Sequence, residues 1–207
     1  MRILITGAGG LLGGRLAALL SSPYEVMGVV RRQAAPEGVP SLVADLADHA
    51  AVATVFEEAR PEAVIHCAAL ADAEICEREP LRARLENAAV TEALAAACRA
   101  RGARLVTLST DLVFDGGRAF SSETSPARPL NEYGRSKLAS EAVTLAASAD
   151  FVVVRVALVS GRGHGSRQTA TESVAQRLRK GAPVERERTQ AKRTRPTKLD
   201  PGLTTEG

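Results

Sequence analysis

The sequence predicts an α/β protein built on a doubly wound parallel sheet. Short apolar segments alternate with longer helical patterns from the first residues to about residue 181. The apolar segments are continuous, which is typical of parallel strands buried on both faces. A glycine-rich turn separates the first strand from the first helix. Right-handed crossovers between such strands place helices on both sides of one sheet.

Five strands follow from the apolar segments. The first, RILIT, ends at the glycine-rich turn, and the second, YEVMGVV, ends at a pair of arginines. The other three contain the segments EAVIHCAA, ARLVTLST and DFVVVRVAL, which are mostly apolar and contain β-branched residues. In chain order, the predicted strands are residues 2–6, 24–30, 62–69, 103–110 and 150–158.

Five helices connect or follow these strands. Each shows apolar residues at helical spacing, and Gly102 and Gly181 end two of them, as expected at helix C-termini. In chain order, the predicted helices are residues 11–22, 51–60, 80–102, 132–149 and 169–181.

The chain has 207 residues, of which 45% are hydrophobic, and is therefore long enough for one domain with a large core. Its composition changes after Pro183, where apolar periodicity disappears. Residues 179–198 contain eight basic and two acidic residues. We therefore predict a folded domain at residues 1–183 and a mobile, basic and polar tail at residues 184–207.

Composition also argues against several classes of function. Aromatic residues make up 3% of the chain and Trp is absent, so platforms that stack nucleic-acid bases are not expected. No apolar run approaches the ~20 residues of a membrane span, and a strand that begins at residue 2 leaves no room for an N-terminal signal. Cys67, Cys76 and Cys98 lack metal-ligand spacing and predict reduced thiols in a cytoplasmic protein without a bound metal.

The turn after the first strand has the spacing of a phosphate-binding loop. Gly7, Gly10 and Gly13 form G-x-x-G-x-x-G, with Leu11 and Leu12 at the start of the helix. Gly7 permits a tight turn, Gly10 the close approach of a pyrophosphate, and Gly13 close packing of the helix on the sheet. The helix N-terminus offers unpaired N–H groups to the phosphates. The sequence therefore predicts that residues 1–183 form a Rossmann domain that binds NAD or NADP.

Two positions suggest which dinucleotide is bound. Arg31 and Arg32 follow the second strand, where an acidic residue would hold the ribose 2′-hydroxyl of NAD. A guanidinium suits a 2′-phosphate, so NADP is predicted in preference to NAD, although two surface arginines would look the same. Asp45, followed by Leu46, is expected beside the adenine, where its carboxylate accepts from the exocyclic amine. Alternatively, Asp45 caps the helix that follows.

Several motifs occur in the order found in a known family. They are TGAGGLLG at 6–13, DL at 45–46, HCAA at 66–69, Asn87, LSTDLVFDG at 108–116 and YGRSK at 133–137. As an ordered set they resemble the extended short-chain dehydrogenase/reductase family. STDLVFDG and RPLNEYGRSKLASE are most similar to its dTDP-4-dehydrorhamnose reductase branch, which also includes the non-catalytic regulatory subunit of methionine adenosyltransferase. The resemblance covers about residues 1–183.

The resemblance implies that Tyr133 and Lys137, one helical turn apart, form the active-site pair. Tyr133 would donate a proton to a substrate carbonyl oxygen as NADPH delivers hydride. The Lys137 ammonium would lower the pKa of the phenol and bind the cofactor ribose. Thr110 would hydrogen-bond the same carbonyl oxygen. Strand alternation lets only one of Ser109 and Thr110 point into the site, and the resemblance favours Thr110.

The resemblance also implies supporting roles. Three residues at the end of the strand at 62–69 would line the nicotinamide ribose: Ala68, Ala69 and Leu70. Asn87 would support the geometry of the strand at 103–110. Asp111 and Phe114 would belong to the loop over the substrate.

The chain departs from this family in length. Its members run well beyond 207 residues and build a C-terminal substrate domain, which we expect to be largely absent here.

Three functions stay open: an NADPH-dependent reductase of a nucleotide-sugar-like carbonyl compound, which is favoured, a non-catalytic NADP-binding regulatory protein, and a sugar-nucleotide epimerase or dehydratase. We expect a small-molecule substrate and neither a nucleic-acid nor a membrane partner, and a homodimer stays open.

Overall fold

A parallel sheet of six strands forms the centre of the computed structural model, which describes residues 1–117, 120–157 and 159. The strands are β1 (Arg2–Thr6), β2 (Glu25–Val30), β3 (Ser41–Val43), β4 (Ala63–His66), β5 (Arg104–Thr110) and β6 (Val152–Val156). Their order is β3-β2-β1-β4-β5-β6, and each adjacent pair is parallel. The predicted parallel sheet is confirmed.

Helices separate the strands everywhere except between β2 and β3. They are α1 (Leu11–Leu20), α2 (His49–Ala59), α3 (Ala73–Arg78), α4 (Pro80–Arg84), α5 (Val90–Arg101) and α6 (Glu132–Ala147). A π turn (Leu85–Ala89) joins α4 to α5, and a 3-10 turn (Asp111–Val113) follows β5. No helix among the described residues is both long and apolar enough to cross a membrane. The predicted helix at 169–181 and the predicted tail at 184–207 lie outside the described residues.

Helices cover both faces of the sheet because successive residues of its strands point to opposite sides. On one face, Ile5 of β1 packs in a cluster with Ala17 of α1. On the other face, Leu4 of β1 packs in a cluster with Phe56 of α2 and Leu94 of α5. The continuous apolar strands in the sequence are therefore explained by burial on two sides, and the doubly wound fold is confirmed.

The chain reverses its direction of winding between β1 and β4. β1 pairs with β2 on one side and with β4 on the other, so Thr6 lies opposite both Val29 and His66. In an open α/β sheet, such a reversal leaves a crevice at the carboxyl ends of the strands, and ligands bind there. The glycine-rich turn leaves β1 at this end of the sheet.

Candidate functional site

The turn after β1 has the shape that its glycines predict. Gly7 has a positive φ of 69°, and a side chain there would meet the Ala68 amide nitrogen at 2.8 Å. A side chain at Gly13 would clash with the carbonyl oxygen of Gly7, because α1 lies directly against the turn. The fold itself therefore requires both glycines.

Gly10 is different because it faces solvent and only one atom of the protein crowds it. It is exposed, and an added Cβ would meet only the Gly7 carbonyl oxygen, at 3.2 Å. Gly10 is the N-cap of α1, and no side chain caps the helix. The amide groups of Leu11, Leu12 and Gly13 thus begin a helix without a side-chain cap. Such a helix end suits phosphate oxygens.

A cleft of about 180 Å³ opens beside this turn. Its lining comes from the ends of three strands, the segment after β3 and the helices around the π turn: Gly7, Val29, Val30, Arg31, Ala44, Asp45, Leu46, Ala47, Ala68, Ala69, Glu86 and Val90. Predicted cofactor residues from separate segments of the chain therefore meet in one cleft. Leu70 is not among them, since it is buried beside Cys76 and Ala83.

Two carboxylates hold Arg31 at this cleft. Its guanidinium donates to Glu86 at 3.1 Å and lies 3.7 Å from the Asp45 carboxylate. Glu86 also accepts from Arg82 at 2.6 Å, while Arg32 is exposed. The sequence analysis missed Glu86 because it lies 55 residues from Arg31 and only the fold brings the two together.

Asp45 does not cap the helix that follows it. Its carboxylate accepts from the Ala47 amide at 3.1 Å. The N-cap of α2 is Asp48, whose carboxylate accepts from the Ala50 amide at 2.9 Å. The capping role that the sequence left open for Asp45 is therefore wrong, and its exposed carboxylate lies in the cleft beside Arg31.

A second, larger cleft of about 680 Å³ lies at the carboxyl ends of β5 and β6. It is lined by the segment after β5, the approach to α6 and the end of β6: Asp111, Leu112, Phe114, Asp115, Gly116, Ser121, Ser122, Glu123, Leu130, Asn131, Arg155 and Ala157. Asp111 and Phe114, which the resemblance assigns to the substrate loop, both line it. Its volume is that of a small-molecule site.

Ser109 and Thr110, at the end of β5, have different partners. Ser109 faces α6 and donates to Glu141 at 2.5 Å. Thr110 Oγ1 accepts from the Leu112 amide and donates to Asp111 Oδ1, each at 3.2 Å. The Ser109 hydroxyl is thus committed to a buried carboxylate, whereas Thr110 is bonded to two residues that line the larger cleft.

Tyr133 lies in the first turn of α6, which Asn131 caps by accepting from the Gly134 amide at 2.7 Å. The ring packs beside Leu70 and Cys76. Burial, with smaller contributions from Cys76 and Asp111, raises the pKa of Tyr133 above its usual value. The prediction that Lys137 lowers this pKa is wrong for the structure, because burial dominates and Lys137 is not among the contributing charges.

Lys137 is almost fully removed from water, with 2% of its surface exposed. Burial lowers its pKa to about 8, although Cys67 and Glu141 act in the opposite direction. Among the described residues, no hydrogen bond or ion pair involves its ammonium group. A largely buried lysine whose ammonium has no partner among the described residues suits a site that a polar ligand completes.

His66 lies beside Lys137 at the end of β4. Its Nδ1 is 2.7 Å from Thr6 Oγ1, and its buried Nε2 has no partner in the structure. Burial and the Lys137 charge lower the pKa of His66 to about 3, so the ring is neutral at neutral pH. The described residues contain no cluster of three or more side chains suited to bind a metal ion.

Asn87 joins the segment after β4 to α6. From the π turn, its side chain bonds both backbone groups of Leu70, at 2.7 and 3.1 Å, and donates to Ser136 at 2.8 Å. The predicted role of Asn87 as a support for β5 is therefore wrong. Its amide instead fixes the helix that carries Lys137.

An ion pair with a buried carboxylate lies one turn beyond Lys137. Glu141, which is 2% exposed, accepts from Arg155 Nε at 2.9 Å and from Nη2 at 2.6 Å. The sequence analysis missed both residues. The one sequence signal was a glutamate at helical spacing from Tyr133 and Lys137, and nothing in the sequence identified Arg155 as its partner.

Comparison with known proteins identifies the family. A family model described as the RmlD substrate binding domain matches residues 1–199. The chain is 38% identical, over 166 residues, to dTDP-4-keto-6-deoxy-D-glucose reductase from Streptomyces niveus. That alignment covers 79% of this chain and 54% of the relative.

Two further similarities come from relatives of different function. The chain is 36% identical over 161 residues to methionine adenosyltransferase 2 subunit beta from Xenopus laevis, covering 77% of this chain and 47% of the relative. It is 28% identical, with a TM-score of 0.74, to dTDP-4-dehydrorhamnose reductase from Bacillus anthracis, crystallised in complex with NADP. That match covers 86% of this chain and 60% of the other. The chain spans about half the length of the curated relatives it matches.

Proposed function

This chain belongs to the RmlD substrate binding domain family, within the extended short-chain dehydrogenases/reductases, and we propose that it is an NADPH-dependent carbonyl reductase. Its substrate would be a nucleotide sugar or a related compound with a keto group. The support comes from the site and from relatives named as reductases of such sugars.

One observation carries the proposal: the start of α6 places the Tyr133–Lys137 pair near residues of both clefts. Asn131, two residues before Tyr133, lines the larger cleft. The Tyr133 ring packs beside Leu70, which directly follows Ala69 of the smaller cleft. A proton donor and an ammonium therefore stand between a cleft suited to a dinucleotide and a cleft suited to a small molecule.

Each residue of the site has a separate role in the proposed reaction. A bound NADPH supplies hydride to the carbonyl carbon of the substrate. Tyr133 holds its phenolic proton at its raised pKa and donates it to the carbonyl oxygen. Thr110 would orient the same oxygen by redirecting to it the hydroxyl proton that Asp111 accepts in the structure. Lys137, still largely charged at neutral pH, binds the cofactor ribose.

The smaller cleft fits the adenosine end of the cofactor. Gly10 leaves space for the pyrophosphate at the uncapped end of α1. Arg31 and Arg32 favour the 2′-phosphate of NADP over the 2′-hydroxyl of NAD. Asp45 and Leu46 would contact the adenine. The preference for NADP over NAD is supported by the relative from Bacillus anthracis, which was crystallised with NADP.

The experiment is NADPH oxidation by the purified chain with a panel of 4-keto nucleotide sugars and simple ketones. We expect oxidation with at least one keto sugar, and faster turnover with NADPH than with NADH. Tight NADPH binding without turnover of any panel member would contradict a reductase. It would instead support a non-catalytic NADP-binding regulatory role, which the similarity to methionine adenosyltransferase 2 subunit beta favours as the second candidate.

The proposal also covers the cellular compartment of the protein and its binding partners. Cys67, Cys76 and Cys98 are free thiols in the structure, which supports a cytoplasmic protein. We propose a small-molecule substrate and no nucleic-acid or membrane partner. A homodimer is tested by the mass of the particle in solution.

A further inference from the structure

Glu141 occupies the centre of a buried polar network behind the Tyr133–Lys137 pair. Its two carboxylate oxygens accept from the Ser109 hydroxyl at 2.5 Å and from two nitrogens of Arg155 at 2.6 and 2.9 Å. Glu141 lies four residues after Lys137 on α6, so the two side chains share one face of the helix. Ser109 directly precedes Thr110.

Arg155 connects this carboxylate to the wall of the larger cleft. Its guanidinium lies over the ring of Phe114, 5.0 Å from the ring centroid, and donates to the Glu123 carbonyl oxygen at 3.3 Å. Both of these contacts belong to residues that line the larger cleft. A bidentate arginine–carboxylate pair has a fixed geometry, and a lysine in its place could not reproduce it.

We propose that Glu141 is a positioning residue that couples the substrate-side segments to the Tyr133–Lys137 pair. Through Arg155 it fixes Phe114 and Glu123 at the larger cleft, and through its negative charge it holds the Lys137 ammonium in the site. This inference rests on the proposed function, because the pair whose position it explains is the one assigned to proton transfer there. Tyr133, Lys137 and Thr110 remain the groups that touch the reactants.

The charges around Lys137 decide what each substitution does to its pKa. The Glu141 carboxylate favours the charged ammonium and burial opposes it, while the Cys67 thiol is neutral because burial raises its pKa to about 12. The neutral ring of His66 lies on the β4 side, and Tyr133 is one turn earlier on α6. Arg155 acts through its pairing with Glu141. Removing the Glu141 charge must therefore lower the pKa of Lys137, whereas replacing Arg155 by another cation must not.

Two variants separate the effect of Glu141 on Lys137 from its effect on the larger cleft. The two measurements, the pKa of Lys137 and hydrogen exchange, need neither cofactor nor substrate. Glu141→Gln should lower the pKa of Lys137, followed by lysine ¹³C NMR, by about one pH unit. Arg155→Lys should leave that pKa unchanged or raise it. Both variants should speed hydrogen exchange several-fold in peptides 112–117 and 120–131. Glu57→Gln, which breaks an exposed ion pair between Glu57 of α2 and Arg101 of α5, is the control. It should change neither the pKa of Lys137 nor the exchange in those peptides.

The proposal is overturned if Glu141→Gln leaves the pKa of Lys137 in place, or if Arg155→Lys leaves exchange in those peptides unchanged. It is also overturned if Arg155→Lys lowers the pKa of Lys137. If Glu141→Gln does not fold, Arg155→Lys alone still tests the proposal, because its expected effects on the pKa of Lys137 and on hydrogen exchange are both stated.

Turnover gives a separate check. Where the wild-type chain oxidises NADPH, Arg155→Lys should raise KM for the keto substrate more than it lowers kcat. Glu141→Gln should shift the alkaline limb of the pH–rate profile to lower pH. If the wild-type chain does not turn over any substrate, the proposed function is contradicted. The NMR and hydrogen-exchange results still decide whether Glu141 couples the larger cleft to Lys137.

Discussion

Lys137 illustrates at the scale of a residue how a functional group lowers stability. Burial lowers its pKa from 10.5 to about 8. Between about pH 8 and 10.5 the unfolded chain therefore binds more protons than the folded one, and stability rises with pH in this window. Below pH 8 the full penalty of the buried charge is present, about 3 kcal/mol at most by the size of the shift.

We therefore predict that Lys137→Met stabilises the chain in the absence of cofactor. The free energy of unfolding at pH 7, from urea denaturation, should rise by up to about 3 kcal/mol. Its increase from pH 8 to 10 should become smaller than in the wild type, because the titrating group is gone. NADPH affinity and turnover should both fall. Equal stability of the two proteins at pH 7, with the same pH dependence, would show that Lys137 carries no such penalty.

Arg31 and Arg32 are predicted to set the preference between cofactors. Replacing both by Ala should weaken NADP binding by about 10- to 100-fold, the value of charged hydrogen bonds to a phosphate, and should leave NAD binding nearly unchanged. Calorimetric titration of both cofactors measures this. Arg82→Ala, which removes the other arginine held by Glu86, is the control and should keep the preference. If the double variant also keeps it, the two arginines do not recognise the 2′-phosphate.

At the scale of elements, α6 must begin close against the turn after β5. A side chain at Gly134 would clash with the Leu112 carbonyl oxygen and lie 2.9 Å from Pro129 Cβ. Gly134→Ala should therefore push the first turn of α6, with Tyr133, away from Thr110. We predict a loss of about 1–3 kcal/mol in stability, typical of overpacking, and a larger loss in kcat than in NADPH affinity.

Ala142→Gly is the matched control for Gly134→Ala. It lies on the exposed side of α6 and should lower stability by about 0.5–1 kcal/mol through helix propensity alone, with kcat preserved. Equal effects of the two substitutions on kcat would mean that the close packing of Gly134 against the Leu112 carbonyl oxygen does not position Tyr133.

The sequence predicted the long elements and missed the short ones. The strands β1, β2, β4 and β5 are apolar because both faces are covered, so their composition alone indicates them. β6 is equally apolar, although Val152 and Val154 are exposed in the described part of the chain. β3 has three residues with exposed ends, and α3 has six residues, so neither produces a periodic pattern. The π turn inside the predicted helix at 80–102 has no signal in composition, although it carries Glu86 and Asn87 to their partners.

At the scale of the whole molecule, the site was predictable where one motif contains its parts. The glycines of the first turn and the pair at 133 and 137 each lie within a few residues of one another. The pairs Arg31–Glu86 and Glu141–Arg155 join separate segments of the chain and became visible only in the fold. The buried environment of Tyr133 was likewise invisible, since burial depends on α3 and the segment after β4.

The domain boundary at residue 183 remains a prediction. Residues 185–207 contain few apolar residues, without periodicity, so they cannot bury enough surface to offset the entropy of ordering. Deleting them should leave NADP affinity within a few-fold of the parent, measured by calorimetry. Collapse of the shortened chain on expression, or a large loss of affinity, would mean that this segment packs on the domain or on a second subunit.

Tyr133→Phe tests the central claim most directly, because it removes the proton that the proposed reduction requires and leaves the ring in place. With a keto substrate from the panel, kcat should fall by about 100-fold or more, the contribution of a positioned general acid. The Kd for NADPH should stay within a few-fold of the wild type. Tyr24→Phe, which changes the other tyrosine of the chain, should preserve kcat. A kcat of Tyr133→Phe within a few-fold of the wild type would contradict the account.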